Sequence, residues 1–398
     1  MIIKLFFILG IILLFFIYCD CRKTEKNYYF LAVLFLLIRE LDVPIFGEVT
    51  PSGVMITLLF LRVFLFRHRS FGKWSLYFAD LLFSIVIAFL LSPNLHYAFG
   101  WAFTLFVVMA FALLPPYLFD DENDLIKLVR CVIITSSLFS FAAIIAYRGF
   151  ADGTIIISAA EAGEIESHVR NSRIYGLTSS NLVNCICAIS IVLIPYARFK
   201  KKWIEWVIIV LIMYAGLITF KRVTLLAMIP SLIIYVIGQD KTRPIYASLI
   251  ALGIVLVFFS WFGEEMLYRF EIAGFGEEGF LDDHSTARRY QLQKFAYESF
   301  LSSPLFGHGS GCCIYIHNGF LEVLANCGII GVICIVFRFF PSIKDIKALN
   351  PWALAVLVFL VSIFFLESAI NHVQIMAYLG VYLGGYYVSK NYNLTLKR

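Results

Sequence analysis

Apolar runs of about 20 residues, parted by short polar breaks, recur along the whole of this 398-residue chain; about 20 residues of helix cross the hydrocarbon core of a bilayer. Within that core each backbone N–H and C=O must find a partner in the protein, so such runs fold as helices and not as open strands. Hydrophobic residues make up 61% of the chain and charged residues 15%, against roughly 25% charged in a soluble domain. There are too few polar side chains to cover a water-facing surface all round. The expected fold class is therefore all-α: a polytopic transmembrane helix bundle of about 12–14 spans, one membrane domain over residues 1–398, with a large outer loop.

Hydropathy places the spans at 2–18, 28–46, 51–66, 74–92, 97–118, 125–146, 181–197, 203–219, 223–237, 244–262, 318–337, 351–369 and 373–389. Two connections are long, at 148–180 and 263–317. The first apolar run lacks an Ala-x-Ala cleavage site and reads as an uncleaved span. Most of the nine cysteines lie in apolar stretches (Cys131, Cys185, Cys187, Cys327, Cys334), where Cys behaves as a small hydrophobe, so no disulfide framework is expected.

Lys and Arg orient the bundle, because cytoplasmic loops are enriched in them. One set of loops holds 20 of the 32 cations, from Arg22, Lys23 and Lys26 through Arg198–Lys202 to Lys390, Lys397 and Arg398. That side is assigned to the cytoplasm, which turns both long loops outward. Ten cations remain on the outer side, and most fall into three clusters: Arg170 with Arg173, Lys221 with Arg222, and Arg288 with Arg289 and Lys294. A guanidinium forks onto a phosphate with two parallel hydrogen bonds, so an Arg cluster suits a phosphate or diphosphate. The plainer reading is that long loops cross regardless of charge and these side chains are solvated.

The most informative stretch runs from Ser285 to Phe337. It reads Ser-Thr-Ala-Arg-Arg-Tyr (285–290), then Ser-Pro-Leu-Phe-Gly-His-Gly (303–309), then His317-Asn318, Leu321-Glu322 and the pair Gly328 and Gly331 leading into an apolar helix. Gly307, Gly309 and Gly311 permit tight turns with positive φ. Asn318 is a good N-cap, and a helix N-terminus favours anions. Glu322 follows His317 by about one turn on the same face. Gly328 and Gly331 would allow close helix packing in the bilayer, although their spacing is not the full small-xxx-small pattern.

This arrangement resembles the O-antigen polymerase/ligase superfamily of bacterial membrane glycosyltransferases. In that family the last large outer loop carries an Arg, a Pro-Leu-x-Gly-x-Gly turn and a His-Asn pair opening a helix with Gly-x-x-Gly. Two further segments are similar: Phe-Lys-Arg-Val-Thr-Leu-Leu at 220–226 and Ser-Arg-Ile-Tyr-Gly-Leu-Thr-Ser-Ser-Asn at 172–181. The motifs cover roughly 170–340; Lys221, where the family often has Ser, and the doubled Arg288-Arg289 depart from the pattern. Arg289 is preferred over Arg288, because it lies fifteen residues before Pro304, as the family spacing implies.

The resemblance implies an O-antigen polymerase in the bacterial inner membrane, its long loops facing the periplasm. Its partners would be an undecaprenyl-diphosphate-linked oligosaccharide, the lipid bilayer and a chain-length regulator, with no nucleic acid and no cofactor. His317 would be the general base, which suits an imidazole with its pKa near the working pH. Arg222 and Arg289 would hold the diphosphate without a metal, and Arg173, Arg288, Lys221, Asn318 and Glu322 would bind substrate. Plainer roles are a capping or interfacial His317 and snorkelling arginines. Two alternatives share much of this reading: an O-antigen ligase acting on lipid A–core, and a non-enzymatic transporter of lipid-linked oligosaccharide. His308, Cys312, Cys313 and His317 also offer four zinc-ligand types, but adjacent cysteines fit one ion poorly. Among charges inside spans, Arg39, Glu40, Asp42, Asp80 and Glu367 are candidates by cost alone; the plainer reading makes Arg39, Glu40 and Asp42 interface residues and Asp80 a residue near the inner end of its span, and leaves Glu367, at an outer helix end, as the candidate to face the catalytic loop. No Asp-x-Asp, P-loop, Gly-x-Ser-x-Gly or dinucleotide fingerprint is present.

Overall fold

A computed structural model of the chain gives bounds for eleven helices and two short turns of other pitch among the described residues. It describes residues 10, 22–37, 49–67, 79, 83, 86–151, 189–218, 228, 230–235, 284–313, 316, 318–337, 342–348, 350–366 and 373–391. Among these residues there are helices and no strand. We number the helices α1 (Arg22–Leu37), α2 (Pro51–Arg67), α3 (Leu95–Leu113), α4 (Pro115–Leu118), α5 (Glu122–Ala151), α6 (Lys202–Ile218), α7 (His284–Ser302), α8 (Gly319–Val332), α9 (Ile343–Lys347), α10 (Pro351–Leu366) and α11 (Val373–Asn391).

Helix edges follow the apolar runs where the two can be compared. The expected spans 203–219 and 351–369 become α6 and α10, and 373–389 becomes α11. Of the thirteen expected spans, one is long and apolar enough by itself to cross a membrane among the described residues: Leu95–Leu118. It is not one smooth rod. Pro115 and Pro116 bring no N–H, so α3 ends at Leu113 and a short α4 follows. α1 begins at Arg22, inside what reads as a polar connection, and α5 continues to Ala151, past the expected start of the first long loop.

α11 packs against α3. Its Gly380 and Gly384, one turn apart, bring the two backbones close. A methyl at 380 would lie 2.5 Å from the Val108 carbonyl oxygen, and one at 384 would lie 2.8 Å from that of Phe111. This is the small-xxx-small contact by which helices associate in lipid. The close helix packing expected of Gly328 and Gly331 is thus made elsewhere, by a pair that the motif search did not single out.

Charges that the sequence assigns to one side pair with each other. Lys26 meets Asp124 at 2.6 Å and Asp120 at 3.1 Å. Arg198 pairs with Glu122, Lys202 lies 3.2 Å from Glu205, and Lys390 lies 2.8 Å from Asp345. Burial alone would raise the Asp124 carboxyl, but hydrogen bonds from Lys26, the Asp120 N–H and Lys127 outweigh it and hold the group below its ordinary value. Asp345 is lowered in the same way, burial being overcome by Lys390, Ser342 and Tyr386. Arg62, a cation inside an expected span, donates to the buried Glu25 at 3.0 Å. At the opposite set of loops, the turn after Ala88 meets the turn at Gly309–Ser310.

Candidate functional site

α7 lies within the expected outer loop and is the helix that brings Arg289 to the site. Leu292, Ala296, Cys312, Cys313, Ile316, Leu321 and Ala325 form a small apolar core joining α7 to α8. Ala296 is fully buried in it. Arg289 precedes Leu292 by three residues and Ala296 by seven, so it shares the face that α7 turns to this core. It is half-buried. The ion pair that α7 makes among the described residues joins Lys294 to Glu298 at 4.0 Å and leaves Arg289 out. Arg288 is helical, but its side chain lies outside the described residues.

At Pro304 the helix gives way to the turn that the motif foresaw. The Gly307 N–H donates to the Ser303 carbonyl at 2.9 Å, and the Ser303 hydroxyl donates to the Gly307 carbonyl at 2.8 Å. Gly307, Gly309 and Gly311 all have positive φ, as expected from their type. A side chain at 307 would collide with the backbone of Asn326 and Cys327 at 2.5 Å. The turn therefore packs directly onto the main chain of α8.

α8 is broken where the turn meets it. Gly328 has φ 65° and ψ −166°, which no helix interior adopts. An unbroken helix would bond Ile329 to Ala325 and Ile330 to Asn326. Here Ile329 donates to the Pro304 carbonyl at 2.9 Å and Ile330 to that of Leu305 at 3.3 Å. The two released carbonyls are taken up by the turn: His308 donates to Ala325 at 2.9 Å and Gly309 to Asn326 at 2.8 Å. These four backbone groups at the break each have a partner, the condition for irregular main chain at membrane depth. The role expected of Gly328 is corrected accordingly. It opens the helix to the turn.

Beyond the turn the chain is pinned twice. Ser310 donates to the Ala88 carbonyl through its N–H at 3.1 Å and its hydroxyl at 3.2 Å. Asn326 then clamps Cys313. Its Oδ1 accepts from the Cys313 N–H at 3.2 Å, and its Nδ2 donates to the Cys313 carbonyl at 2.9 Å. Sequence reasoning missed Asn326. The available signal was a lone amide in an apolar helix, which must find partners when buried. Burial pushes the Cys313 thiol up to about 12; the Cys312 sulfur and the Glu322 charge add to this and the Ser299 hydroxyl opposes it. The thiol is protonated at neutral pH and is no nucleophile.

Asn318 caps α8 as expected: its Oδ1 accepts from the Leu321 N–H at 3.1 Å. Its carbonyl oxygen is thereby committed, and its amide nitrogen is what remains for a substrate. Glu322 lies in the first turn of α8 and is fully buried. It presents no surface to a bound molecule. His308 bonds through Nε2 with the Ser302 hydroxyl, 2.7 Å away, and lies 3.0 Å from the Ser299 carbonyl. The remaining expected site residues, His317, Arg222, Lys221 and Arg173, lie outside the described residues, as do Arg39, Glu40, Asp42, Asp80 and Glu367. Of the set, the structure therefore gathers Arg289, Asn318 and Glu322 around one small core. Ile316 and Asn318, which flank His317, are both placed there, Ile316 buried and Asn318 as the cap.

No curated protein matches the sequence. Residues 207–336 match the family described as O-Antigen ligase. The matched stretch lies wholly in the second half of the chain. It contains α7, the glycine turn, the Asn318 cap and the break at Gly328. That match, over about a third of the chain, is what this chain shares with the O-antigen ligase/polymerase superfamily.

Proposed function

We propose that this protein is the polymerase of a surface polysaccharide, joining undecaprenyl-diphosphate-linked repeat units at the outer face of the bacterial inner membrane. The observation that carries the reading is the interlock of the glycine turn with the broken α8, which fixes the chain on both sides of His317 beside the face of α7 that bears Arg289. His317 takes the proton from an acceptor sugar hydroxyl, whose oxygen attacks the anomeric carbon of the donor. The bond from that carbon to the diphosphate breaks with inversion. Arg222 and Arg289 hold the departing undecaprenyl diphosphate, with Arg173, Arg288 and Lys221 adding positive charge. Asn318 offers its amide nitrogen, and the buried Glu322 acts from behind the cap. Outward placement of this site is supported by the sorting of loops: the cation-rich connections pair among themselves, and the turn at 307–311 meets the loop after Ala88.

Deleting this gene alone and running the lipopolysaccharide ladder tests the reading. A polymerase defect leaves single repeats on the lipid A–core and removes long chains. The family's own description favours a second reading, a ligase. A ligase defect leaves the core bare while long glycan accumulates on the lipid carrier. A transporter defect would strand lipid-linked units on the cytoplasmic face.

A further inference from the structure

We propose that Asn326 is a positioning residue for the catalytic base, an inference that rests on the reading of His317 given above. Asn326 is 1% exposed, one turn after the buried Glu322 on the same helix. Its main-chain carbonyl and both ends of its side-chain amide go to one loop. Its main-chain carbonyl accepts from Gly309 at 2.8 Å, and its side chain grips Cys313 at both the N–H and the carbonyl. It thus ties down the start and the end of the Gly309–Cys313 turn from the residue that stands two before the break in α8. A buried amide with both halves matched is stabilising, and replacing it leaves two buried backbone groups unpaired. From Cys313 only four residues lead to His317 and five to the Asn318 cap. Cys313 and Asn318, which stand on either side of 314–317 in the chain, are therefore both held to α8, Cys313 by Asn326 and Asn318 as its cap.

The test uses the full-length purified protein and lipid-linked oligosaccharide extracted from cells lacking the gene. Asn326→Leu keeps the volume and removes both side-chain bonds. Its kcat is expected to fall about a hundredfold, the scale of a displaced catalytic group, with KM for the lipid-linked donor unchanged. Asn326→Asp supplies a conservative variant with its own signature. Protonated, the carboxylic acid donates to the Cys313 carbonyl and accepts from its N–H, as the amide does. Ionised, it repels that carbonyl. Activity of Asn326→Asp should therefore approach wild type on the acid side and drop as pH rises, a limb that the wild-type profile lacks. This variant also decides the matter if Asn326→Leu fails to insert. Wild-type kcat in Asn326→Leu, or an Asn326→Asp profile parallel to wild type, overturns the inference. A fully active His317→Ala overturns the reading of His317, whereas full activity of the Asn326 variants beside an inactive His317→Ala overturns the clamp alone.

Discussion

The N–H of Gly309 meets the carbonyl of Asn326 at 2.8 Å, across a gap that a regular helix would have closed with its own N–H from Ile330. The break in α8 and the fold of the turn are thus one structure, each supplying the partners that the other lacks. Without the other, either half would leave these backbone groups unpaired.

Gly328→Ala tests this dependence. Position 328 has φ 65°, and a methyl there would stand 2.3 Å from the Leu305 carbonyl. Backbone strain of this kind costs about 1–3 kcal/mol before any clash is counted. The purified variant should melt at a clearly lower temperature in detergent, and its transfer activity should fall with it. An unchanged melting temperature would show that the break is not needed.

The contact between α3 and α11 predicts a second weak point. Gly380→Val sets a branched Cβ 2.5 Å from the Val108 carbonyl oxygen and 2.7 Å from the Phe111 Cβ. Overpacking of this order costs about 2 kcal/mol. The effect should appear as lower yield of inserted protein and lower thermal stability, with KM unaltered in what survives. Equal stability of wild type and variant would mean that the helices do not approach as closely as described.

Acid should loosen the ion-paired rim in a defined window. Asp124 and Asp345 both titrate below the ordinary 3.8. A depressed carboxyl contributes stability that is complete above the unfolded pKa and is lost as pH falls through the lower folded-state value. Melting temperature should therefore drop below about pH 4. The Asp124→Asn, Asp345→Asn double variant should start lower at neutral pH and show a shallower drop. Two parallel curves would remove these carboxylates from the account. Lys26 and Lys390 are raised above 10.5, so their contribution is complete below that value and fades only at higher alkaline pH.

Arg289 and Arg288 should separate in activity. Arg289 shares the helix face of Leu292 and Ala296, and Arg288 precedes it by one position, roughly 100° away around the helix. Removing one charged donor from a developing anion costs about 10²–10³-fold in rate. Arg289→Ala is expected to lose that much in initial transfer rate, and Arg288→Ala less than about tenfold on the same scale. The reverse order would move the diphosphate contact to Arg288.

Much of the bundle was legible because its signal is local. The runs that became α6 and α11 announce themselves by hydropathy, and their ends by Lys202 and Lys390. The turn at 304–309 was legible because only glycine accepts the dihedrals at 307 and 309. Gly328 was visible but misread. Its spacing from Gly331 speaks of helix packing, whereas its positive φ depends on a turn twenty residues upstream folding back onto it. Asn326 gave no pattern, since one amide in an apolar run has no period, and its partner Cys313 is set by tertiary structure. Gly380 and Gly384 were legible in principle as Gly-x-x-x-Gly, but their worth depends on which helix lies opposite.

The measurement that bears most directly on the central claim is transfer by the purified protein carrying His317→Ala, with lipid-linked repeat units from cells lacking the gene as donor and acceptor. The account predicts that wild type lengthens the glycan while His317→Ala inserts, remains monodisperse in detergent and adds no repeat. Chain extension by His317→Ala at the wild-type rate would contradict it.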